Sequence, residues 1–242
     1  MKKILAYCLL LFMAFPCINA FSETEVLVSQ APFESAVVEK SEAVDDSYFD
    51  DAVFIGDSLT LSIESRNILK NAKFIADIGA SISNAANSRI FPYEGKQYKL
   101  TELLQKFQPK KIYILIGTNT LTFSRSGDAI EPYKELLNVI IKDFPQAPVY
   151  MITIPTFRNH AIKKLHPKYP DFTNKRILDF NKRLVELAET AHCHLLDLCS
   201  ELITSAKDIQ PKKEYMAPDG YHLSMAGAEL FKDFIKTHTV GN

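Results

Sequence analysis

Short runs of apolar and β-branched residues alternate with amphipathic segments along most of this chain. The runs that predict strands occupy residues 52–55, 73–78, 111–116, 148–154 and 194–198. Residues 112–116 read Ile-Tyr-Ile-Leu-Ile, and unbroken hydrophobicity of this kind is typical of a strand that is covered on both faces. The pattern therefore indicates a sheet that lies inside the protein.

Two longer segments carry apolar residues three or four positions apart, which places these residues on one face of a helix. The first set comprises Ile130, Tyr133, Leu137, Ile140, Ile141 and Phe144, and the second comprises Ile177, Phe180, Leu184, Leu187, Ala188 and Ala191. Further helices are predicted over 59–70, 99–107 and 224–237. The alternation of strands and helices predicts an α/β fold, a three-layer α/β/α sandwich around a central parallel sheet of about five strands.

The first 20 residues have the features of a signal peptide. Two lysines near the start supply positive charge, residues 4–15 form an apolar run, and Ile-Asn-Ala at 18–20 is an acceptable cleavage site. The apolar run is short for a membrane-spanning helix. We therefore expect a secreted protein, extracellular or periplasmic, with no stable membrane span after cleavage. Lipid attachment through Cys17 is the alternative, which the bulky residues before it disfavour.

Residues 21–46 read as an acidic, mobile linker. They contain seven acidic side chains against one lysine and show no sustained apolar period. The folded domain is predicted over 47–242. The whole chain is 47% hydrophobic and has a formal net charge of −1, which is ordinary for a globular protein and does not favour a nucleic-acid partner.

Three short segments carry groups suited to ester hydrolysis. Gly-Asp-Ser ends at Ser58 after the first predicted strand, Gly-Thr-Asn ends at Asn119 after the third, and an acid and an imidazole stand three residues apart at Asp219 and His222. A serine nucleophile needs a base, the base needs an orienting acid, and the oxyanion needs donors. Taken alone, each segment could equally form a turn or cap a helix. Asp57, beside the serine, is predicted to bind nearby backbone N–H groups.

The order of these motifs along one domain resembles the SGNH hydrolases, the GDSL-like lipase/esterase family, over residues 52–235. The resemblance implies a flavodoxin-like fold, with Ser58 as nucleophile and with Asp219 and His222 completing a triad. It also implies an oxyanion hole made of the Ser58 N–H, the Gly79 N–H and the Asn119 side-chain amide. No metal and no organic cofactor are implied. The hydrophobic pattern supports this site without the resemblance, because Ser58, Gly79 and Asn119 all lie just after the ends of predicted strands. Parallel sheets bind ligands at the carboxyl ends of their strands.

The segment 156–173 is long for a strand-to-helix loop and is rich in basic residues. It is either a solvated basic loop or a lid that contacts an anionic or polymeric substrate, in which case Arg158, Lys163 and Lys164 are candidate substrate-binding residues. A second alternative concerns His192 and His194 around a cysteine, which could suggest a metal. Because metal sites need three or four ligands, we expect ordinary strand residues and no metal there.

These observations predict an exported serine esterase. Its expected substrate is a small acyl ester or an acylated glycan, with O-acetyl groups on a carbohydrate or cell-wall glycan as the first choice. Two rivals remain open. The same triad could serve an O-acyltransferase, or the protein could be a non-catalytic glycan-binding or surface protein that keeps the fold.

Overall fold

The computed structural model of the protein describes residues 24–123, 129–205 and 207–241. The predicted signal peptide, residues 1–20, and the candidate lipid-attachment residue Cys17 lie outside the described residues. Within the described ranges, no helix is both long enough and apolar enough to cross a membrane.

The strands of the described chain are β1 (Ala52–Gly56), β2 (Lys73–Ala76), β3 (Phe91–Tyr93), β4 (Lys96–Tyr98), β5 (Lys111–Leu115), β6 (Val149–Ile152), β7 (His194–Leu196), β8 (Ile203–Ser205) and β9 (Asp208–Pro211). The α-helices are α1 (Ser58–Glu64), α2 (Ile82–Ala85), α3 (Leu100–Phe107), α4 (Thr118–Phe123), α5 (Ile130–Asp143), α6 (Asn159–Leu165), α7 (Asn174–Ala191), α8 (Leu198–Leu202) and α9 (Met225–Lys236). Short 3-10 helices occupy Asp46–Phe49 and Lys213–Tyr215.

Five parallel strands form the central sheet in the order β2-β1-β5-β6-β7. Counted along the sheet's own strands, this is the 2-1-3-4-5 order of flavodoxin-like proteins. The predicted fold class is confirmed, and each of the five predicted strands is present. The strand expected over 73–78 ends early at Ala76, because Asp77 opens a turn in which the Ala80 N–H donates to the Asp77 carbonyl at 3.1 Å.

Alternate residues of β1 enter two separate cores, one on each face of the sheet. Val53 and Ile55 pack with the apolar faces of α2, α3, α5 and α7. Ala52 and Phe54 pack with α1, α8 and α9. Because successive strand side chains point to opposite faces, a strand buried on both sides must be apolar throughout, and this explains the unbroken apolar runs in the sequence.

The segment before the sheet is not a mobile linker, and that prediction is wrong for its described part. Residues 24–46 lie along the domain, and Val37 forms an isolated parallel bridge with Leu195 of β7. The Val38 N–H donates to the Leu195 carbonyl at 3.0 Å, and the Ser29 N–H donates to the Ala191 carbonyl at 3.0 Å. The segment therefore covers the β7 edge of the sheet. It is held by backbone hydrogen bonds and by single buried side chains such as Ala36 and Val38, which form no apolar period in the sequence.

Candidate active site

The chain turns sharply between β1 and α1, and the turn presents Ser58 at the first position of the helix. A side chain at Gly56 would collide with the Thr60 side chain and with the Leu115 carbonyl, so the close packing of β1 on β5 requires glycine there. Asp57 is completely buried, and its Oδ1 accepts the Leu59 N–H at 3.0 Å as the helix cap. The predicted backbone-binding role of Asp57 is thus seen directly.

Burial dominates the ionisation of Asp57. Loss of hydration raises the pKa of its carboxyl group from 3.8 to about 6, although the backbone N–H groups of Leu59 and Gly117 and the nearby His222 act to lower it. A carboxyl group that is mostly ionised at neutral pH is therefore buried next to Ser58 in the chain.

Ser58, His222 and Asp219 form one hydrogen-bonded chain. The Ser58 Oγ lies 3.1 Å from the His222 Nε2, and the His222 Nδ1 lies 2.8 Å from the Asp219 Oδ2. Since an ionised carboxylate can only accept, the Nδ1 carries the proton and the Nε2 is left to accept the serine hydroxyl. Residues 58 and 222 stand 164 positions apart in the chain, and the tertiary structure brings them into this contact.

Asp219 shapes its own loop as well as orienting the imidazole. Its Oδ1 accepts the N–H groups of Tyr221 and His222, each at 3.0 Å. Partial burial raises the pKa of Asp219, but the hydrogen bonds from Tyr221 and His222 outweigh burial, so the pKa lies below its usual 3.8. The carboxylate is therefore charged over the whole neutral range.

Residues at the start of α6 support this loop from outside. The Arg158 N–H donates to the Gly220 carbonyl at 2.9 Å, and the His160 Nε2 lies 3.1 Å from the Pro218 carbonyl. Gly220 has a φ of +82°, and a side chain there would meet the His160 ring. The Phe157 ring stacks on Tyr221 at 5.3 Å between centroids. The loop that carries Asp219 and His222 is therefore packed against α6 and Phe157.

The two other predicted oxyanion donors are occupied by hydrogen bonds within the protein. The Gly79 N–H donates to the Asp77 Oδ2 at 3.2 Å. The Asn119 Nδ2 donates to the Ile78 carbonyl at 3.0 Å and to the Ala80 carbonyl at 2.7 Å. An amide nitrogen has two hydrogens, so both are used. For either residue to bind an oxyanion, the turn at 77–80 must first rearrange.

Of the two alternatives for the basic segment, the arrangement of its basic side chains favours the solvated one over the substrate-contacting lid. Residues 159–165 form α6, and Lys163 and Lys164 on it are exposed and do not line the cavity beside Ser58. The Arg158 Nη1 donates to the Pro211 carbonyl at 2.8 Å, so this side chain ties α6 to β9 instead of facing a substrate. The residues of the segment that do line the cavity are apolar, Phe157 and Leu165. Helical spacing turns the lysines outward.

A cavity of about 650 Å³ opens beside Ser58. One part of its wall is apolar and includes Ile78, Phe123, Phe157 and Leu165. Another part is polar and is formed by the face of α1 and the turn that follows it, with Ser62, Ser65 and Arg66. Arg66 was not among the residues predicted from the sequence. Its signal was the spacing of Ser58, Leu61, Ser62, Ser65 and Arg66, which repeats every three or four residues on one helical face.

The candidate metal ligands do not come together in the described chain. Its residues contain no group of three or more His, Cys, Asp or Glu side chains that could hold a metal ion. His194 is buried, and desolvation lowers the pKa of its imidazole. Cys193 is also buried as a free thiol.

Comparisons with known proteins identify relatives of this chain. The model of the GDSL-like lipase/acylhydrolase family matches residues 54–230. A GDSL-like lipase from Bacteroides thetaiotaomicron superposes with a TM-score of 0.57 at 12% identity, covering 78% of this chain and 87% of that one. A lipase/acylhydrolase from Enterococcus faecalis gives 0.51 at 19% identity, covering 76% and 93%. A psychrotrophic esterase from Pseudoalteromonas gives 0.50 at 14% identity, covering 78% and 96%.

At these identities, the solved structures establish a shared fold. The comparison with curated proteins found no match. The family match extends from β1 to α9 and covers well over half of the sequence. The chain therefore belongs to the GDSL-like lipase/acylhydrolase family.

Proposed function

We propose that this protein is an exported serine esterase that uses Ser58, His222 and Asp219 as a catalytic triad. The observation that carries the proposal is the continuous hydrogen-bonded chain from the Ser58 Oγ through the imidazole to the Asp219 Oδ2. Membership of an acylhydrolase family supports ester hydrolysis as the reaction type. The cavity beside Ser58 supplies room for an ester.

The order of steps follows from the tautomer. His222 takes the hydroxyl proton on its Nε2 as the Ser58 Oγ attacks the ester carbonyl carbon, and Asp219 stabilises the imidazolium that forms. The imidazolium then gives its proton to the departing alcohol, which leaves an acyl-serine. A water molecule, deprotonated by His222, attacks the acyl carbon and releases the acid and the free serine. Each proton that leaves one oxygen thus arrives on another.

The oxyanion is held first by the Ser58 N–H, which lies at the start of α1 where backbone N–H groups have no partner within the helix. Gly79 and Asn119 join it once the turn at 77–80 releases their N–H groups. Within this turn Ile78 is 72% exposed and Gly79 is also at the surface, whereas Ala80 is buried, so the movement required is that of residues 78 and 79. The proposal therefore contains a rearrangement that accompanies substrate binding.

The proposed substrate is a short-chain acyl ester, with O-acetyl groups on a carbohydrate or cell-wall glycan as the preferred case. The cavity is much larger than an acetyl group, so most of it would hold the alcohol part of such an ester. The polar wall from α1 suits an alcohol that carries further polar groups. The predicted export places the protein where such glycans occur.

The test measures hydrolysis by the chain that begins at residue 21, after the predicted signal peptide, and by the same chain with Ser58→Ala. The substrates are p-nitrophenyl acetate, longer-chain esters and an acetylated glycan. We expect turnover to fall by about 10⁴-fold or more, because the nucleophile is lost. Ser83→Ala, an exposed serine on α2, is the matched control and should keep full activity. Equal rates for wild type and Ser58→Ala would refute the proposal. Acetate release with and without an acceptor sugar separates hydrolysis from acyl transfer.

A further inference from the structure

We propose that Arg66 binds an anionic group, a carboxylate or a phosphate, on the alcohol part of the ester substrate. This inference rests on the proposed esterase function and specifies its substrate class. The position of Arg66 relative to Ser58 is the first observation behind it. Arg66 lies two helical turns beyond Ser58 on the same face of the segment, and both residues line the cavity. A group bound to Arg66 therefore belongs to the same molecule that reaches Ser58.

The charge of Arg66 has no acidic counterpart. Its Nη1 donates to the Ser62 carbonyl and its Nη2 donates to the Leu223 carbonyl, and both acceptors are neutral. Among the described residues, no carboxylate lies within ion-pair distance of this guanidinium. Asp219, the acid that lines the same cavity, is occupied by His222. The wall thus carries one uncompensated positive charge.

The two carbonyl contacts also fix where this charge sits. A guanidinium has five N–H donors in a planar fork, so contacts to two carbonyls leave further donors for a ligand. The side chain is partly buried, which lowers the local dielectric and strengthens its attraction for an anion. Holding a flexible side chain in place in advance removes part of the entropy cost of binding. Arg66 is therefore arranged as a binding group and not as a freely moving surface cation.

The other residues of the cavity wall favour an anion on the alcohol part of the ester and not on the acyl part. The cavity lining also includes Ile78, Phe123 and Leu165, and the first two are 72% and 59% exposed. An apolar wall suits the hydrocarbon of an acyl group, while a cation flanked by the hydroxyls of Ser62 and Ser65 suits a charged, hydrated alcohol. An acidic sugar or a phosphate-bearing alcohol has this chemistry.

The experiment measures kcat/KM for three acetate esters with similar leaving groups: p-acetoxybenzoate, p-acetoxyphenyl phosphate and the neutral p-acetoxybenzamide. In the wild type we expect the anionic esters to be favoured over the neutral one by roughly 10- to 100-fold, the usual effect of a charge-assisted hydrogen bond. Arg66→Gln should bring the ratio close to one, and Arg66→Lys should keep part of it. The ratio cancels any general damage from losing the Leu223 contact. Lys70→Gln, an exposed cation outside the cavity, should leave the ratio unchanged.

A wild-type ratio of one or less, or a ratio that survives Arg66→Gln, would overturn the inference. Whichever of the two anionic esters has the higher kcat/KM shows whether Arg66 prefers a carboxylate or a phosphate. Hemisuccinate esters, which carry the carboxylate on the acyl side, should not share the preference, and if they alone show it the assignment to the alcohol is wrong.

Binding to Ser58→Ala, measured by calorimetry with the same three esters, gives a readout that needs no turnover. There the anionic esters should bind more tightly than the amide, and the difference should vanish when Arg66→Gln is added. Equal affinities refute the role of Arg66 even if no ester is hydrolysed. Conversely, hydrolysis that persists in Ser58→Ala refutes the proposed function, while the kcat/KM ratios still test the role of Arg66.

Discussion

Replacing Asp57 by asparagine should change how the stability of the protein depends on pH. The wild-type carboxyl group is completely buried and its pKa is raised to about 6, whereas in the unfolded chain it titrates near 3.8. Between these two values the folded state binds more protons than the unfolded state. Stability contributed by this group is therefore present at low pH and is lost as the pH rises through the folded pKa. Asparagine does not titrate, and its Oδ1 can still cap the Leu59 N–H.

The magnitude follows from the size of the shift. Linkage gives a cost of about 1 kcal/mol for keeping this carboxylate buried at about pH 4.5, and about 3 kcal/mol at about pH 7.5. The free energy of unfolding of Asp57→Asn, minus that of the wild type, should thus rise by about 2 kcal/mol between those two pH values. Any constant cost of placing an amide near Gly117 shifts both ends equally and does not change this difference.

Urea unfolding at a series of pH values measures the difference directly. Groups remote from residue 57 titrate alike in both proteins and cancel in the subtraction. Asp143→Asn, made at an exposed carboxylate at the end of α5, is the matched control and should give a difference that is flat with pH. A flat difference for Asp57→Asn as well would show that its carboxylate is solvated or paired in the folded protein, and the burial argument would fail.

Three further predictions test the site and the fold. Asp219→Asn should lower kcat by about 10⁴-fold with little change in folding, because the imidazole loses the acceptor that fixes its tautomer; near-normal kcat would remove Asp219 from the triad. Asn119→Ala should lower kcat by about 10²- to 10³-fold if its amide moves to the oxyanion, whereas an unchanged kcat with lower stability would limit it to holding the turn at 77–80. Removing residues 24–44 should lower the free energy of unfolding by roughly 2–4 kcal/mol, since Ala36 and Val38 leave buried positions, and a mobile linker would give no change in urea unfolding.

The predictable part of the fold follows from periodicity. The helices expected from residues 130–144 and 177–191 appear as α5 and α7, because three- and four-residue spacing of apolar side chains leaves one way to bury them. The helix expected over 59–70 stops at Glu64 instead. Asn67 adopts a left-handed φ of 52°, which ends the helical path and bends the chain so that Arg66 meets Leu223. Nothing in the apolar pattern marks that bend.

The site shows the same division between local and long-range information. The residues of the Ser58–His222–Asp219 hydrogen-bonded chain were predictable because each lies in a short motif at a predicted strand end or before a predicted helix. The state of Gly79 and Asn119 was not, because it depends on whether Asp77, Ile78 and Ala80 offer acceptors in the folded turn. The basic segment shows the same limit: its charge left a solvated loop and a substrate-contacting lid as alternatives, and the geometry of α6 turns Lys163 and Lys164 to solvent.

The sequence by itself determined the α/β class, the strands of the sheet and the residues that could form a triad. These features depend on local spacing, since side-chain periodicity and turn chemistry act over a few residues. Only the tertiary structure decided that Ser58 meets His222, that residues 24–46 cover the edge of β7, and that Arg66 stands uncompensated in the cavity wall. These features depend on contacts between distant parts of the chain, made by backbone groups or by single side chains. Such contacts produce no periodic pattern in the sequence.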